Sequence, residues 1–346
     1  MKKKYNPNMP SEHYDAQDAE AIRRSSIPAG LVSDALRFDS AEDASIFFAR
    51  ELDYVKAKTY DKEYPEMTAL KLFPISHEVN EGAETVTFYS YEKTGYAKLI
   101  SNYATDLPRA DVKGKPSTAQ VKSVGDSYGY SMQDMRASRM AGKSLDVRRG
   151  EAAKYQNDRL VNKIAWAGDA ETGLIGVLST GNNVPVYTLS TVTKDGTNYT
   201  DFAHKTAEEI LADINGMVKF VAKATKNVEK PDSLVMPSSV YIDLATRKIP
   251  DSDTTILEFL QRTSPYVKNF EEAPELESDA GETNPFNAGV LFLYTKDPEK
   301  FTIEIPLDFY QYAAQPKGLE VEIPCESRVA GAILYYPMSA LIAAGV

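Results

Sequence analysis

Cysteine occurs once in the 346 residues, at Cys325, and histidine three times. A single thiol excludes an intramolecular disulfide and any cysteine-based zinc site, so Cys325 is expected to be a buried, inert side chain. His13, His77 and His204 fall in separate segments, without the His-x-x-x-His spacing that places two imidazoles on one helix face for a metal. No apolar run approaches the roughly 20 residues a membrane-spanning helix needs. The start, Lys2 to Lys4 followed by polar residues, also lacks the apolar segment of a secretory signal. The chain is therefore expected in a soluble, reducing compartment, with no membrane partner. Positive charge is in deficit too: 39 Lys and Arg stand against 50 Asp and Glu, a formal net charge of −11. That balance argues against general binding to nucleic acid, which needs a basic surface to displace counterions. Lys2, Lys3 and Lys4 form a local exception.

Catalytic constellations are missing as well. Ala137 to Ser144 ends in Gly-Lys-Ser like a phosphate-binding loop, but Ala137 replaces its first glycine and no strand leads into it. Lys143 is expected to be a solvated helix residue. Asp251 and Asp253 flank Ser252 in a turn that more simply caps the next helix than holds a cation. Asn198-Tyr199-Thr200 is a glycosylation acceptor without a secretion signal to use it, and there is no Gly-x-Ser-x-Gly elbow. No catalytic, cofactor-binding or metal-binding residue is assigned. The absence of chemistry in so long a chain favours assembly over catalysis.

What is present is a large core with long connecting pieces. Ser144 to Ala167 places Leu145, Ala152, Tyr155, Leu160, Ile164 and Ala167 among charged residues, the pattern of an amphipathic helix roughly 35 Å long. Gly168 ends it, and a bend is expected at Gly142. Residues 1 to about 40 are too polar for a core of their own, and a helix is expected from Ser40 to about Lys58. Leu70 to Ile75 reads as a short strand. Thr85 to Tyr91 and Ala97 to Ala104 read as strands around Gly95, followed by a polar excursion, Asp106 to Gln120, and by Val121 to Tyr130 leading into the helix. Such a segment buries little by itself and is expected to project and pack on another molecule.

Farther on, Gly173 to Leu178 is a small apolar turn or strand. Thr206 and Glu209 form a capping box before Ile210, Leu211, Ile214, Met217, Val218 and Val221 at helical spacing. Ser233 to Met236 is a buried strand, Pro237 and Ser238 open a helix, and Thr255 with Glu258 caps another. Glu271 to Glu282, with six carboxylates, is expected to be a solvated loop without the spacing of a calcium-binding loop. After the strand Gly289 to Tyr294, the alternating runs Phe301 to Ile305 and Leu319 to Ile323 predict one long antiparallel hairpin, each run ending at a proline. The chain closes with the strand Val329 to Tyr336 and a helix from Pro337.

The order of these elements resembles the major capsid protein of tailed phages, of the Hong Kong 97 type. Ser101-Asn102-Tyr103-Ala104-Thr105-Asp106-Leu107-Pro108-Arg109, Tyr128-Gly129-Tyr130-Ser131 and Asn162 to Asp169 carry the likeness, with Gly173 to Leu178, Arg328-Val329-Ala330-Gly331 and Tyr336-Pro337. The resemblance implies an α+β fold with an N-arm (1–50), a lead-in to the P-domain (51–83) and an extended E-loop (84–126). It further implies a P-domain spine helix (127–179), a compact A-domain (180–297), a P-domain β-hairpin (298–327) and a C-terminal strand and helix of the A-domain (328–346).

By the same resemblance, the chain assembles as hexamers and pentamers into an icosahedral head around double-stranded DNA. Its expected partners are copies of itself, a separate scaffolding protein, a portal, a possible decoration protein and weakly, non-specifically contacted DNA. Assembly is expected in the host bacterial cytoplasm, and the virion capsid is the final location. Gly82, Gly95, Gly114 and Gly142 are the candidate hinges between the two ring types. The type member crosslinks an E-loop lysine to a P-domain asparagine. Lys93, Lys98, Lys113 and Lys115 supply the first partner, but no asparagine follows Asn287, so a shell without covalent crosslinks is expected. Two other readings are an encapsulin-like compartment of the same fold and a soluble enzyme with a site assembled from His77, Asp106 and Arg109.

Overall fold

The computed structural model describes residues 64–99, 107–141 and 147–346. It opens on one helical turn, α1 (Ala69–Leu72), and a short strand, β1 (Ile75–Ser76). Strands β2 (Thr85–Thr94) and β3 (Asp111–Gln120) pair along their whole length as a ribbon. β4 (Lys122–Ser131) leads into helices α2 (Met132–Ala141) and α3 (Val147–Ala167), then β5 (Gly168–Asp169) and β6 (Leu174–Ile175). A small hairpin, β7 (Val192–Lys194) and β8 (Thr197–Tyr199), precedes α4 (Ala207–Ala224). Next come β9 (Ser233–Met236), α5 (Ser238–Thr246), α6 (Ile256–Thr263), β10 (Asn269–Glu272) and β11 (Val290–Tyr294). The chain ends with β12 (Phe301–Glu304), β13 (Leu307–Gln311), β14 (Gln315–Lys317), β15 (Glu320–Val329), β16 (Gly331–Leu334) and β17 (Ala340–Ala344).

The sheet β10-β9-β11-β17 is a wall between two cores. Successive side chains of a strand point to opposite faces, so Val290, Phe292 and Tyr294 join Phe73, Trp166 and Phe301 on one side. Leu291 and Leu293 join Ile210, Met217 and Leu260 of the helices on the other. Two-sided burial explains why β11 is apolar at every position rather than alternating. The second core depends on α4, whose capping box is present as expected: Thr206 accepts from Glu209 N while Glu209 reaches back to the cap.

Helix α3 buries Val161, Ile164, Ala165 and Trp166 in the first core. Its Gly150 does not interrupt it. A Cβ there would lie 3.3 Å from the Tyr128 hydroxyl, so the missing side chain makes room for β4 to cross. Past the helix end, Val177 N donates to Ala165 O and Leu178 N to Trp166 O, both at 2.8 Å, which satisfies carbonyls a helix terminus leaves open. This turn is very tight. A Cβ on Gly176 would lie 2.2 Å from Gly168 N, and one on Gly331 would lie 2.3 Å from Ile175 O. Gly168 and Gly331 also hold φ of +75° and +83°. Ile175 pairs with both Gly168 and Gly331, so three of the motifs that carry the capsid resemblance meet at one residue.

Several expectations need correction. Phe301–Glu304 and Glu320–Val329 do not pair: β12 lies between β1 and β16, while β15 pairs along ten positions with β4. Nor does the second run stop at Pro324. The Pro324 carbonyl accepts from Tyr312 N, so its nitrogen faces the break between β13 and β14, where no donor is needed. Of Leu70 to Ile75, the first three residues belong to helix α1 and only Ile75 is strand. Ala340–Ala344 is a strand, because its side chains fill both cores. The ribbon partner of β2 is Asp111–Gln120 rather than Ala97 to Ala104. The helix from Ser40, the N-arm and Gly142 lie outside the described residues.

Gly331→Ala is expected to cost at least about 2 kcal/mol in urea unfolding, because strain at positive φ adds to a backbone collision. Gly196→Ala, at φ +77° with open space around it, should cost only about 1 kcal/mol. Equal midpoints for the two variants would contradict the close approach at Ile175.

Candidate assembly surfaces

The ribbon is exposed along most of its length, and its root is well fixed. Arg328 donates through its guanidinium to the carbonyls of Glu81 and Ala83, the latter at 2.9 Å, and Val121 N donates to Glu84 O. Phe88 meets the Tyr335 ring edge-on, with centroids 5.0 Å apart. Beyond this the strands leave the body. Tyr89 and Tyr91, stacked on the outer face, are 63% and 71% exposed. Pro116 and Gly114 lie opposite them in register, and Gly114 leaves room for the Tyr91 ring. Val112, Tyr96, Leu99 and Leu107 extend the exposed apolar surface toward the tip. A row of this kind on a ribbon solvated on both sides marks an interaction surface.

A second exposed group lies on the β13-β14-β15 sheet. Tyr310 and Tyr312 pack edge-on there, and Leu319 is 82% exposed at the Gly318 turn. The sheet is pinned by charged hydrogen bonds. Tyr312 donates to Glu326 at 2.6 Å, which raises the phenol and lowers the carboxyl. Lys317 donates to Glu322 at 3.0 Å and holds that carboxyl below its usual range.

The acidic stretch Glu271 to Glu282 is only in part a solvated loop: Glu271, Glu272, Asp279 and Glu282 are exposed, but Glu275 is buried. Glu271 and Glu272 belong to β10, which pairs in parallel with β9. Buried Glu275 accepts from Thr68 N, Thr68 Oγ1 and Asn162 Nδ2, tying α1 to α3. Glu277 accepts from Ser239 N at the start of α5, and Glu282 from Lys163 Nζ on α3. Hydroxyl, amide and backbone donors hold Glu275 and Glu277, while Glu282 meets the Lys163 ammonium at the surface. Nothing local in the sequence separates the buried Glu275 from its exposed neighbours.

The polar residues singled out in sequence do not converge. His77 Nδ1 lies 2.7 Å from Ile305 O, and His204 lies 2.7 Å from Asp201 while stacking on Tyr199. Arg109 sits by Gly95 at the tip, about 30 Å from the root near His77 for ten residues of strand. Asp106, His13 and Lys143 lie outside the described residues. Asp253 pairs with Lys248 at 3.6 Å and leaves the cap of α6 to Thr255. Asn198 Oδ1 accepts from Thr193 within the β7–β8 hairpin. Gly82 sits in the Asn80 turn, and Gly95 packs its backbone against Arg109 and Ala110 at φ +118°. Lys93, Lys98, Lys113 and Lys115 are exposed on or beside the ribbon. Among the described residues, no helix is long and apolar enough to cross a membrane, and no group of three or more His, Cys, Asp or Glu is placed to hold a metal.

A long helix packed in the first of two cores and a projecting ribbon with a bare apolar face fit a shell-forming subunit, completed by its neighbours. The comparisons agree. The family described as Major capsid protein matches residues 95–346, and the chain belongs to that family. No curated protein matches the sequence. Among solved structures, the capsid of Myoviridae phage XM1 is 17% identical, with 88% of this chain and 100% of that one covered at a TM-score of 0.73. The capsid of an empty GTA particle is 12% identical, with 85% and 94% covered at 0.58. A chain of Mycobacterium phage Bobi is 17% identical, with 91% and 100% covered at 0.53. The fold is therefore the expected α+β fold of Hong Kong 97 type. The role is structural: the chain is a subunit of an icosahedral phage head shell built from copies of itself, in the virion capsid.

Tyr89→Ser with Tyr91→Ser is expected to leave the melting temperature of the unassembled subunit unchanged and to cut shell yield at least tenfold, by light scattering. Normal yield would show that the outer face of the ribbon carries no contact.

Proposed function

We propose that this subunit forms hexamers and pentamers that close around a double-stranded DNA genome without covalent crosslinks. The observation that carries this reading is the ribbon. Its apolar outer face has no cover within the described residues and needs a neighbour to remove it from water. In the proposed division, residues 1–50 form the N-arm, 51–83 lead into the P-domain and 84–126 are the E-loop. Residues 127–179 and 298–327 supply the spine helix and hairpin region of the P-domain, and 180–297 with 328–346 the A-domain. The A-domain closes head-to-tail rings. Scaffolding protein, portal and decoration protein are separate partners met in the host bacterial cytoplasm. The lysine-bearing ribbon has no asparagine to react with beyond Asn287.

Purified subunit, expressed with and without its genomic neighbours, tests this by light scattering and negative-stain microscopy. Closed shells that run as one monomer band on a denaturing gel are expected. A stable monomer or dimer under every condition would overturn the assembly reading, and a ladder of covalent multimers would overturn the absence of crosslinks.

A further inference from the structure

Arginine is unevenly spread along the chain. Five of the 13 arginines, Arg136, Arg139, Arg148, Arg149 and Arg159, fall within residues 132–167, with only three of the 26 lysines. Four carboxylates share the stretch, so it carries +4 in a chain of net charge −11. The five arginines belong to α2 and α3, and their contacts differ. Arg149 is engaged within the subunit, at Gly129 O, at Asp134 at 3.2 Å and over the Tyr130 ring. Lys163 is held by Glu282. The core takes Val161, Ile164 and Trp166, and Tyr155 packs on the Tyr64 ring with centroids 4.7 Å apart. Arg148 and Arg159, eleven residues and so about three turns apart, are exposed along α3. Arg136 and Arg139 are exposed on α2.

Lysine serves a merely solvated surface, and across the whole chain it outnumbers arginine two to one. Here the ratio reverses. The planar guanidinium fork fits phosphate in a bidentate way that an ammonium does not. Helix α3, with 21 residues, is about 31 Å long, the rise of about nine base pairs. We propose that the exposed arginines of α2 and α3 are where the shell touches the phosphate backbone of packaged double-stranded DNA, without reading sequence. The inference rests on the genome-packaging reading above. A second basic group, Lys219, Lys223 and Lys226 around the end of α4, is all lysine beside exposed Phe220 and Val228, and serves as the control.

The experiment measures binding of a 20-base-pair duplex, about two helical turns, to unassembled subunit by fluorescence anisotropy across a salt series. Three proteins are compared: wild type, the triple variant Arg136→Gln, Arg139→Gln and Arg159→Gln, and the control Lys219→Gln, Lys223→Gln and Lys226→Gln. Wild type is expected to bind weakly, and the slope of log affinity against log salt should drop by about one for each arginine removed. The control should keep the wild-type slope. No binding by wild type, an unchanged slope in the triple variant, or an equal loss in the control would each overturn the proposal. Thermal melts confirm folding, and shell yield by microscopy separates the two levels. A triple variant that keeps the wild-type slope but no longer closes shells would make this face a protein contact, with the shell reading intact.

Discussion

The contact around Ile175 is the constraint on which the rest of the subunit depends. Three backbone segments share a space there that admits no Cβ: the end of the long helix at Gly168, the turn at Gly176 and the final strands at Gly331. Asn182 completes the knot, its amide donating to Gly176 O at 2.8 Å and to Ala332 O at 3.0 Å. Because β16 follows directly on β15, this point also sets where Arg328 stands, and Arg328 holds the root of the ribbon. Position is thus transmitted from helix to sheet to ribbon through backbone contacts, which tolerate less slip than side-chain packing.

The two cores and the ribbon obey the same rule with opposite results. In the sheet between the cores both faces of β9, β11 and β17 find apolar partners, so these strands are buried almost throughout, while the edge strand β10 buries only Phe270. In the ribbon only the root finds an apolar partner among the described residues, through Phe88 and Ala119. The remaining apolar side chains are too many for a solvated hairpin and too few for a core. A chain made this way is finished only by its copies, which accords with its membership of the major capsid protein family.

Much of this was legible in the sequence, for local reasons. The box at Thr206, the spacing along α4 and the runs at Ser233 and Val290 depend on near neighbours and appear where expected. Helix α3 is also present, but of its expected apolar positions only Ile164 is buried; Ala153, Val161, Ala165 and Trp166 form the rest of its inner face, while Ala152 and Leu160 are exposed. The motifs around Gly168, Gly176 and Gly331 were visible as a resemblance, but their meeting at Ile175 was not, since it rests on contacts some 150 residues apart in the chain. Strand Asp111–Gln120 was hidden because, exposed on both faces, it carries no alternation and includes Gly114 and Pro116. Ala340–Ala344 looked helical because a strand buried on both sides and a short buried helix share one composition. The pairing of Phe301–Glu304 with Leu319 onward failed because alternation gives the face of a strand and never its partner.

The central claim is that copies of the chain cover the ribbon. Hydrogen exchange of residues 85–94 and 111–120, read by mass spectrometry in unassembled subunits and in closed shells, tests it most directly. The account predicts fast exchange of the outward-facing amides in free subunits and strong protection in shells, while amides of β11 stay protected in both. Equal exchange of the ribbon in the two states would contradict it.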